Sequence, residues 1–158
     1  MIRFFVPQLP QGKQSPRIVK IGPLSRMKRA PKTVAYEGLI AYTARQEMGD
    51  RPPWDEPMVV RLLITMPVPA SWSAKKRAAC LAGAIRPTVK PDCSNVLKAV
   101  EDGCNGVVFR DDALVTQVAI RKVYGEIPGV KVEILPLIRR PDTNTQTVVE
   151  EPEEEGAF

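Results

Sequence analysis

One segment, residues 58–66, constrains the fold more than any other part of the chain. Its sequence is MVVRLLITM, in which Arg61 is the only charged residue, and Pro67 and Pro69 follow it. An apolar run of this length that ends at prolines predicts a β-strand. It is the strongest secondary-structure signal in the sequence, and the other elements are predicted around it.

The remaining segments predict three further strands and three helices. The strands are predicted over residues 1–6, 114–124 and 130–138. The helices are predicted over residues 33–48 with Thr33 as cap, from Ser71 or Ser73 to residue 81, and over residues 95–104. Residues 7–32 predict a long basic loop, and the turn at 125–129 predicts an antiparallel hairpin of the last two strands. This order indicates a single α+β domain with a mixed, mostly antiparallel sheet and about three helices.

Positive charge is concentrated in the first part of the chain. The 158 residues carry a net charge of +5, but six acidic residues and no basic residue follow Arg140. Without those six negative charges, residues 1–140 carry about +11. We therefore predict a basic domain over residues 1–140 and an acidic, disordered tail over residues 141–158. The basic surface is either simply solvated or binds a polyanion; we favour the polyanion because lysine and arginine gain affinity by releasing phosphate counterions.

Several chemistries are excluded by residues that the chain lacks. It has no histidine, which removes Ser-His-Asp systems and HExxH zinc sites. General acid–base chemistry would fall to carboxylates, lysine, tyrosine or metal-bound water. The three cysteines form no CxxC pair and indicate reduced thiols. No apolar run reaches the roughly 18 residues of a membrane span, so we expect a protein of the cytoplasm that binds no membrane.

The most informative segment lies between residues 90 and 112. Ser94 is a good N-cap residue and predicts the start of the helix over residues 95–104. The polar residues on one face of that helix are Asn95, Lys98 and Asp102, and those on the opposite, apolar face are Val96, Val100 and Cys104.

Carboxylates flank this helix at both ends. Asp92 precedes it, and Asp111 and Asp112 arrive from the following loop. Clustered carboxylates repel one another unless a hard cation such as Mg²⁺ neutralises them. On a basic protein, such a cluster points to metal-assisted phosphodiester hydrolysis. The alternative is that these aspartates only form turns and helix starts, and that Asp102 only pairs with Lys98 one turn earlier.

The same residues carry a resemblance to a known family. They contain the pattern Lys90-Pro-Asp-x-x-Asn-x-x-Lys-x-x-x-Asp, followed by Asn-Gly and Phe-x-Asp-Asp. This pattern resembles the RusA family of Holliday-junction resolvases, endodeoxyribonucleases common in phages and prophages. The opening residues are similar as well: Phe5-Val6-Pro7, Gly12-Lys13, Pro16-Arg17, Pro31-Lys32 and Tyr36-Glu37. The resemblance covers residues 3–135.

The resemblance implies a site for Mg²⁺, with Mn²⁺ as a substitute ion. Asp92 and Asp112 match the first and last catalytic aspartates, and Lys98 matches the lysine of the pattern. The metal ligands would be Asp92, Ser94, Asp111 and Asp112. Ser94 stands where the family most often has a second aspartate. Three outcomes follow from that change: the hydroxyl serves as a ligand, Glu101 or Asp102 replaces it, or the protein binds junctions and cuts them poorly.

The resemblance also implies partners and a location. The partner would be four-way or branched DNA, cut by a homodimer with one active site in each subunit, in the cytoplasm of a bacterial host if the gene belongs to a phage. A nuclease of flaps or forks, and a catalytically weak junction-binding protein, are the alternatives. The predicted DNA-binding residues are Lys13, Arg17, Lys20, Lys28, Arg29, Lys32 and Lys90.

Overall fold

The computed structural model describes residues 1–137, of which Arg17 and Ile21 are described by their backbone alone. The predicted acidic tail over residues 141–158 lies outside this part of the chain. Six strands and three α-helices follow one another: β1 Ile2–Val6, β2 Arg17–Ile21, β3 Leu24–Lys28, α1 Pro31–Met48, β4 Met58–Pro67, α2 Ala74–Leu81, α3 Cys93–Cys104, β5 Val115–Gly125 and β6 Gly129–Pro136. A short 3₁₀ helix, Asp112–Leu114, precedes β5.

The main sheet has four strands in the order β1-β6-β4-β5. Strand β6 is antiparallel to both β1 and β4, whereas β5 is parallel to β4. The apolar segment that dominates the sequence is β4, which lies inside the sheet and buries residues such as Met58, Val60 and Ile64. The predicted α+β domain with a mixed sheet and three helices is confirmed. Over residues 1–137, no helix is long and apolar enough to cross a membrane, and the cysteines are free thiols.

The predicted antiparallel hairpin between the last two strands is wrong, because β4 lies between them. The connection from β5 to β6 crosses the end of β4, where Thr65 pairs with Gly129 and Pro67 with Gly125. A Cβ atom on Gly125 would come within 2.5 Å of the Thr65 side chain, so glycine permits this close passage. Burial of the most apolar strand between two neighbours outweighs the local preference for a hairpin.

The predicted loop over residues 7–32 is also partly wrong, because it contains the two-stranded antiparallel hairpin β2–β3. Gly22 has φ 62° at the first turn position, where two-residue hairpin turns favour glycine. All five residues of β3 are exposed. A strand that buries neither face shows no alternation of apolar and polar residues, which is why the sequence pattern did not indicate it.

Two helix starts differ from the prediction, and one agrees with it. Helix α1 begins at Pro31 rather than Thr33, because proline suits the first turn, where its missing N–H is not needed. Helix α3 begins at Cys93 with Asp92 as N-cap residue, so Ser94 lies inside the first turn and is not the cap. Helix α2 begins after Ser73, whose hydroxyl accepts a hydrogen bond from the Lys76 amide at 3.4 Å.

Candidate active site

Helix α3 is fixed to the protein by its apolar face. The predicted apolar residues Val96, Val100 and Cys104 are buried. Burial also raises the pKa of the Cys104 thiol, so this cysteine acts as an apolar core residue. Gly103 allows α3 to approach α1 closely, since a Cβ atom there would lie 2.7 Å from the Ile40 side chain. The opposite, polar face of α3 is therefore held in a fixed orientation.

The polar face of α3 is joined to residues 8–14. Lys13 Nζ lies 2.5 Å from Asp102 Oδ2. The Lys13 amide donates a hydrogen bond to the Asn95 carbonyl oxygen at 3.0 Å. The suggested pairing of Asp102 with Lys98 is therefore wrong: within residues 1–137 its ion-pair partner is Lys13.

Gly12 explains why the chain can pass so close to this helix. A Cβ atom at Gly12 would lie 2.8 Å from the Asn95 Cβ atom. Only glycine fits at this distance without a shift of α3 or of residues 8–14, which pass over it. The Gly12-Lys13 pair in the sequence thus has a physical role, in which one residue permits the approach and the next supplies the ion pair.

A cavity of about 750 Å³ opens beside the first turn of α3. Its walls are residues 8–14, the first turns of α1 and α3, and the segment that precedes α3. It brings together four of the predicted functional residues: Lys13, Lys32, Lys90 and Asp92. Among residues 1–137, Asp92 is the only acidic residue in this lining, and its Oδ2 atom accepts a hydrogen bond from the Asn95 side-chain amide at 3.5 Å.

The two later aspartates lie at the start of β5. Asp111 Oδ1 accepts a hydrogen bond from the Ala113 amide at 2.8 Å, so Asp111 caps the 3₁₀ helix. The pKa of Glu101 is raised by its burial and then by the negative charge of Asp112. The structure thus places Asp112 within electrostatic reach of the later part of α3.

The structure does not form a cluster of three metal ligands in a single chain. Within the described residues, no group of three or more Asp, Glu or Cys side chains could hold an ion. The chemistry of the predicted ligands nevertheless fits Mg²⁺, because this ion prefers oxygen donors and is often bound by one or two carboxylates together with substrate phosphates. Asp92 and Asp112 are both exposed, so a metal ion and a phosphate can reach their carboxylates. The metal assignment stays a prediction.

Ser94 is exposed on the first turn of α3, two residues after Asp92. No side-chain cap bond closes the start of α3. Because Asp92 and not Ser94 holds the cap position, the role of Ser94 as a metal ligand stays a prediction. Lys98 is likewise exposed on this face.

The other predicted DNA-binding residues belong to the hairpin and its base. Lys20 and Lys28 are exposed on β2 and β3. Arg29 follows β3 and contacts the carboxylate of Glu37, a buried residue of α1. Arg29 therefore also ties the base of the hairpin to the core.

Tyr36 also lines the cavity, although the sequence pattern indicated no functional role for it. Tyr36 is only 1% exposed and occupies the buried face of α1, four residues before Ile40. The sequence does contain one indication: Tyr36 places a hydroxyl group on the helical face that Ile40 and Ala44 make apolar. Such a group needs a hydrogen-bond partner or a ligand.

Comparison with known proteins identifies the family of the chain. The family described as Endodeoxyribonuclease RusA matches residues 7–135. An uncharacterized protein of Bacillus subtilis (strain 168), YqaN, is 39% identical over 77 residues, which are 49% of this chain and 54% of that protein. The chain thus spans about half the length of this relative.

Proposed function

The chain belongs to the RusA family of endodeoxyribonucleases, and from this premise we propose that it resolves Holliday junctions by paired nicks in DNA recombination and repair. The observation that carries the proposal is the cavity at the start of α3. There, the aspartate that matches the first catalytic position of the family shares one surface with three lysines. A carboxylate among cations suits a site that binds a phosphodiester and a divalent metal together.

The residues at the start of α3, on its polar face and in the loop after it would have two roles: metal binding and stabilisation of charge on the phosphate. Asp92 and Asp112, with Ser94 and Asp111 beside them, are the proposed ligands of Mg²⁺ or Mn²⁺. When bound, the ion supplies Lewis-acid activation of a water molecule and of the scissile phosphate. Lys98 lies exposed on the polar face of α3, where its ammonium group would stabilise negative charge on that phosphate.

Binding of the DNA arms would fall to the hairpin β2–β3 and the residues around it. The first 36 residues contain eight basic residues and no acidic one. A two-stranded antiparallel ribbon fits the major groove of B-DNA. The proposed contacts are to phosphates, which position the DNA without reading its sequence. They are made by Lys20 and Lys28 on the hairpin, Arg17 and Arg29 at its base, and Lys13, Lys32 and Lys90 at the cavity.

Two symmetric incisions require two active sites related by a two-fold axis. We therefore propose that the protein acts as a homodimer with an isologous interface. Its place of action would be the bacterial cytoplasm, where the free thiols of Cys80, Cys93 and Cys104 are stable.

The proposal is tested with three DNA substrates of matched sequence: a four-way junction, a replication fork and a linear duplex. Purified protein is assayed at one salt concentration with Mg²⁺, with Mn²⁺ and with EDTA. We expect symmetric nicks in the junction, dependent on the metal, and little cutting of the duplex. Faster cutting of the fork than of the junction would instead identify a nuclease of forks and flaps.

A second candidate function is a junction-binding protein with weak catalysis. Ser94 favours it, because a neutral hydroxyl replaces a carboxylate where the family pattern has aspartate. Ser94→Asp restores the carboxylate, and we expect it to lower the Mg²⁺ concentration needed for half-maximal cutting. Ser94→Ala is the control and should raise that concentration. If both variants keep the wild-type Mg²⁺ requirement, Ser94 is not a metal ligand.

A further inference from the structure

The cavity beside α3 contains a buried hydrogen-bond donor that the fold does not use. Tyr36 lines the cavity and is 1% exposed. The backbone of Gln11 acts as a donor to this hydroxyl, which lowers the pKa slightly, but the hydroxyl proton has no acceptor within the described residues. Burial raises the pKa of Tyr36 to about 12, so at neutral pH the phenol keeps its proton and can donate it.

The remaining polar groups of the cavity point to an anionic ligand. Lys32 and Lys90 line it and are exposed, and the ion-pair contacts of the described residues include neither of them. The third lysine, Lys13, is already paired with Asp102. An apolar ligand would leave the buried Tyr36 hydroxyl without an acceptor. The carboxylate of Asp92 shares the cavity with Lys32 and Lys90, so the cavity has a net positive charge and would hold a metal ion only together with an anion.

The first turn of α1 forms part of the same wall. Lys32 and Tyr36 both belong to this end of the helix. In this first turn Pro31 has no N–H group, and the Val34 amide is bonded to the carbonyl of the N-cap residue. Only the amides of Lys32 and Thr33 can therefore favour negative charge there. The volume of about 750 Å³ is sufficient for a nucleotide-sized group and larger than a bare ion needs.

We propose that this cavity is a binding site for a backbone phosphate of DNA, with the Tyr36 hydroxyl as hydrogen-bond donor and Lys32 and Lys90 as charge partners. The proposal rests on the function proposed above for the identity of the polymer, whereas the phosphate chemistry rests on the cavity itself. Because Asp92 lines the same cavity, the phosphate held there would lie beside the proposed metal site and would position the strand that is cut.

The test is the substitution Tyr36→Phe, with Tyr42→Phe as its matched control. Tyr42 lies on the same helix but is 65% exposed. Removal of the Tyr36 hydroxyl deletes a buried donor that has no acceptor within residues 1–137 and keeps the ring, so the melting temperature should stay the same or rise. Affinity for a four-way junction, measured in EDTA so that no cutting occurs, should fall about tenfold, as expected for loss of a hydrogen bond to a charged group. Tyr42→Phe should change neither quantity.

The opposite signs of these two effects separate a binding role from a structural one. If Tyr36→Phe lowers the melting temperature and the affinity together, the hydroxyl supports the fold and the proposal is overturned. Unchanged affinity in Tyr36→Phe overturns it as well.

A second measurement separates this proposal from the function on which it rests. The thymidine dinucleotide TpT is titrated into the full chain and followed by ³¹P NMR, with Lys32→Gln and Lys90→Gln beside Tyr36→Phe. Weaker binding in all three variants, but not in the exposed-lysine control Lys75→Gln, supports the phosphate site even if the wild-type protein shows no preference for junctions. Equal binding of TpT by wild type and Tyr36→Phe overturns the phosphate site even if junctions are cut.

Discussion

Helix α3 and the hairpin β2–β3 both carry residues proposed to meet DNA, but they are attached to the protein in opposite ways. Helix α3 buries Val96, Val100 and Cys104, and its Gly103 touches α1. The hairpin exposes both of its faces, including Leu24 at 73% and Met27 at 67%. The helix is thus held by packing against the core. The hairpin is held mainly by the pairing of its two strands and by the contact of Arg29 with Glu37 at its base.

The difference separates two requirements of a nuclease. Groups that act on a phosphate must be held within a fraction of an ångström, which favours a helix packed against the core. Groups that only bind the arms of a branched DNA must contact phosphates farther from the site, and an exposed two-stranded hairpin can do so. We therefore expect changes on α3 to affect chemistry or stability, and changes on the hairpin to affect binding alone.

The largest effect is expected from Asp92→Asn at the start of α3. Cutting should fall by more than about 100-fold, because even residues that only support a metal ligand cost about 10–100-fold when changed. Junction binding in EDTA should persist or tighten, since one repulsion against phosphate is removed. Gel-based nicking and binding assays measure both quantities. The control is Asp50→Asn, which removes one negative charge from an exposed position outside the site. If cutting and binding are lost together, Asp92 is a structural residue, and the proposed difference between α3, which acts in chemistry, and the hairpin, which acts in binding, is wrong.

The next effect concerns the contact between α3 and α1. Gly103→Ala places a methyl group 2.7 Å from Ile40 and should lower the free energy of unfolding by about 2–3 kcal/mol. Gly38→Ala is a control on α1, because no atom lies within 4 Å of its added Cβ atom. That change should stabilise the protein by about 0.5–1 kcal/mol, since alanine favours helix. Urea denaturation measures both, and a neutral Gly103→Ala would show that α3 is not closely held.

The smallest effect on the fold, and a clear effect on binding, is expected from the hairpin. Besides Lys20 and Lys28, the hairpin exposes a further basic residue, Arg26 on β3. If each of the three contacts a phosphate, the triple variant Lys20→Gln, Arg26→Gln and Lys28→Gln should reduce the slope of log affinity against log salt by about 3. Its stability should stay within about 0.5 kcal/mol of wild type, because all three side chains are exposed.

A triple control of equal charge isolates the position of these residues. Arg45→Gln, Lys75→Gln and Arg121→Gln are exposed and lie outside the hairpin. If this control reduces the salt slope as much as the hairpin variant does, the hairpin has no special part in binding.

The same contrast explains which parts of the structure could be predicted from sequence. The period of Val96, Val100 and Cys104 predicted the buried face of α3, because a helix that packs on a core must place its apolar residues on one side. The hairpin has no buried face and therefore left no such pattern.

The failures inside the site have a different origin. Ser94 suits a cap by residue type, yet Asp92 occupies the cap position in the structure. The partner of Asp102 is Lys13, which is distant in sequence, and periodicity gives no information on such pairs. The aspartates of the motif could be recognised from spacing, whereas the cavity of Tyr36 depends on three separate segments coming together.

The order of strands in the sheet also governs when the site can exist during synthesis. Strand β1 is synthesised first, but its partner in the sheet is the last strand, β6. The pairing of Phe4 with Val132 can therefore form only after β6 has been synthesised. Pairings this distant in sequence form slowly, because the whole intervening chain must be ordered around them. Residues 8–14, which line the cavity, continue directly from β1. Until β6 is made, β1 has no neighbour in the sheet, so the segment that lines the cavity gains its sheet anchor only when the last strand is added.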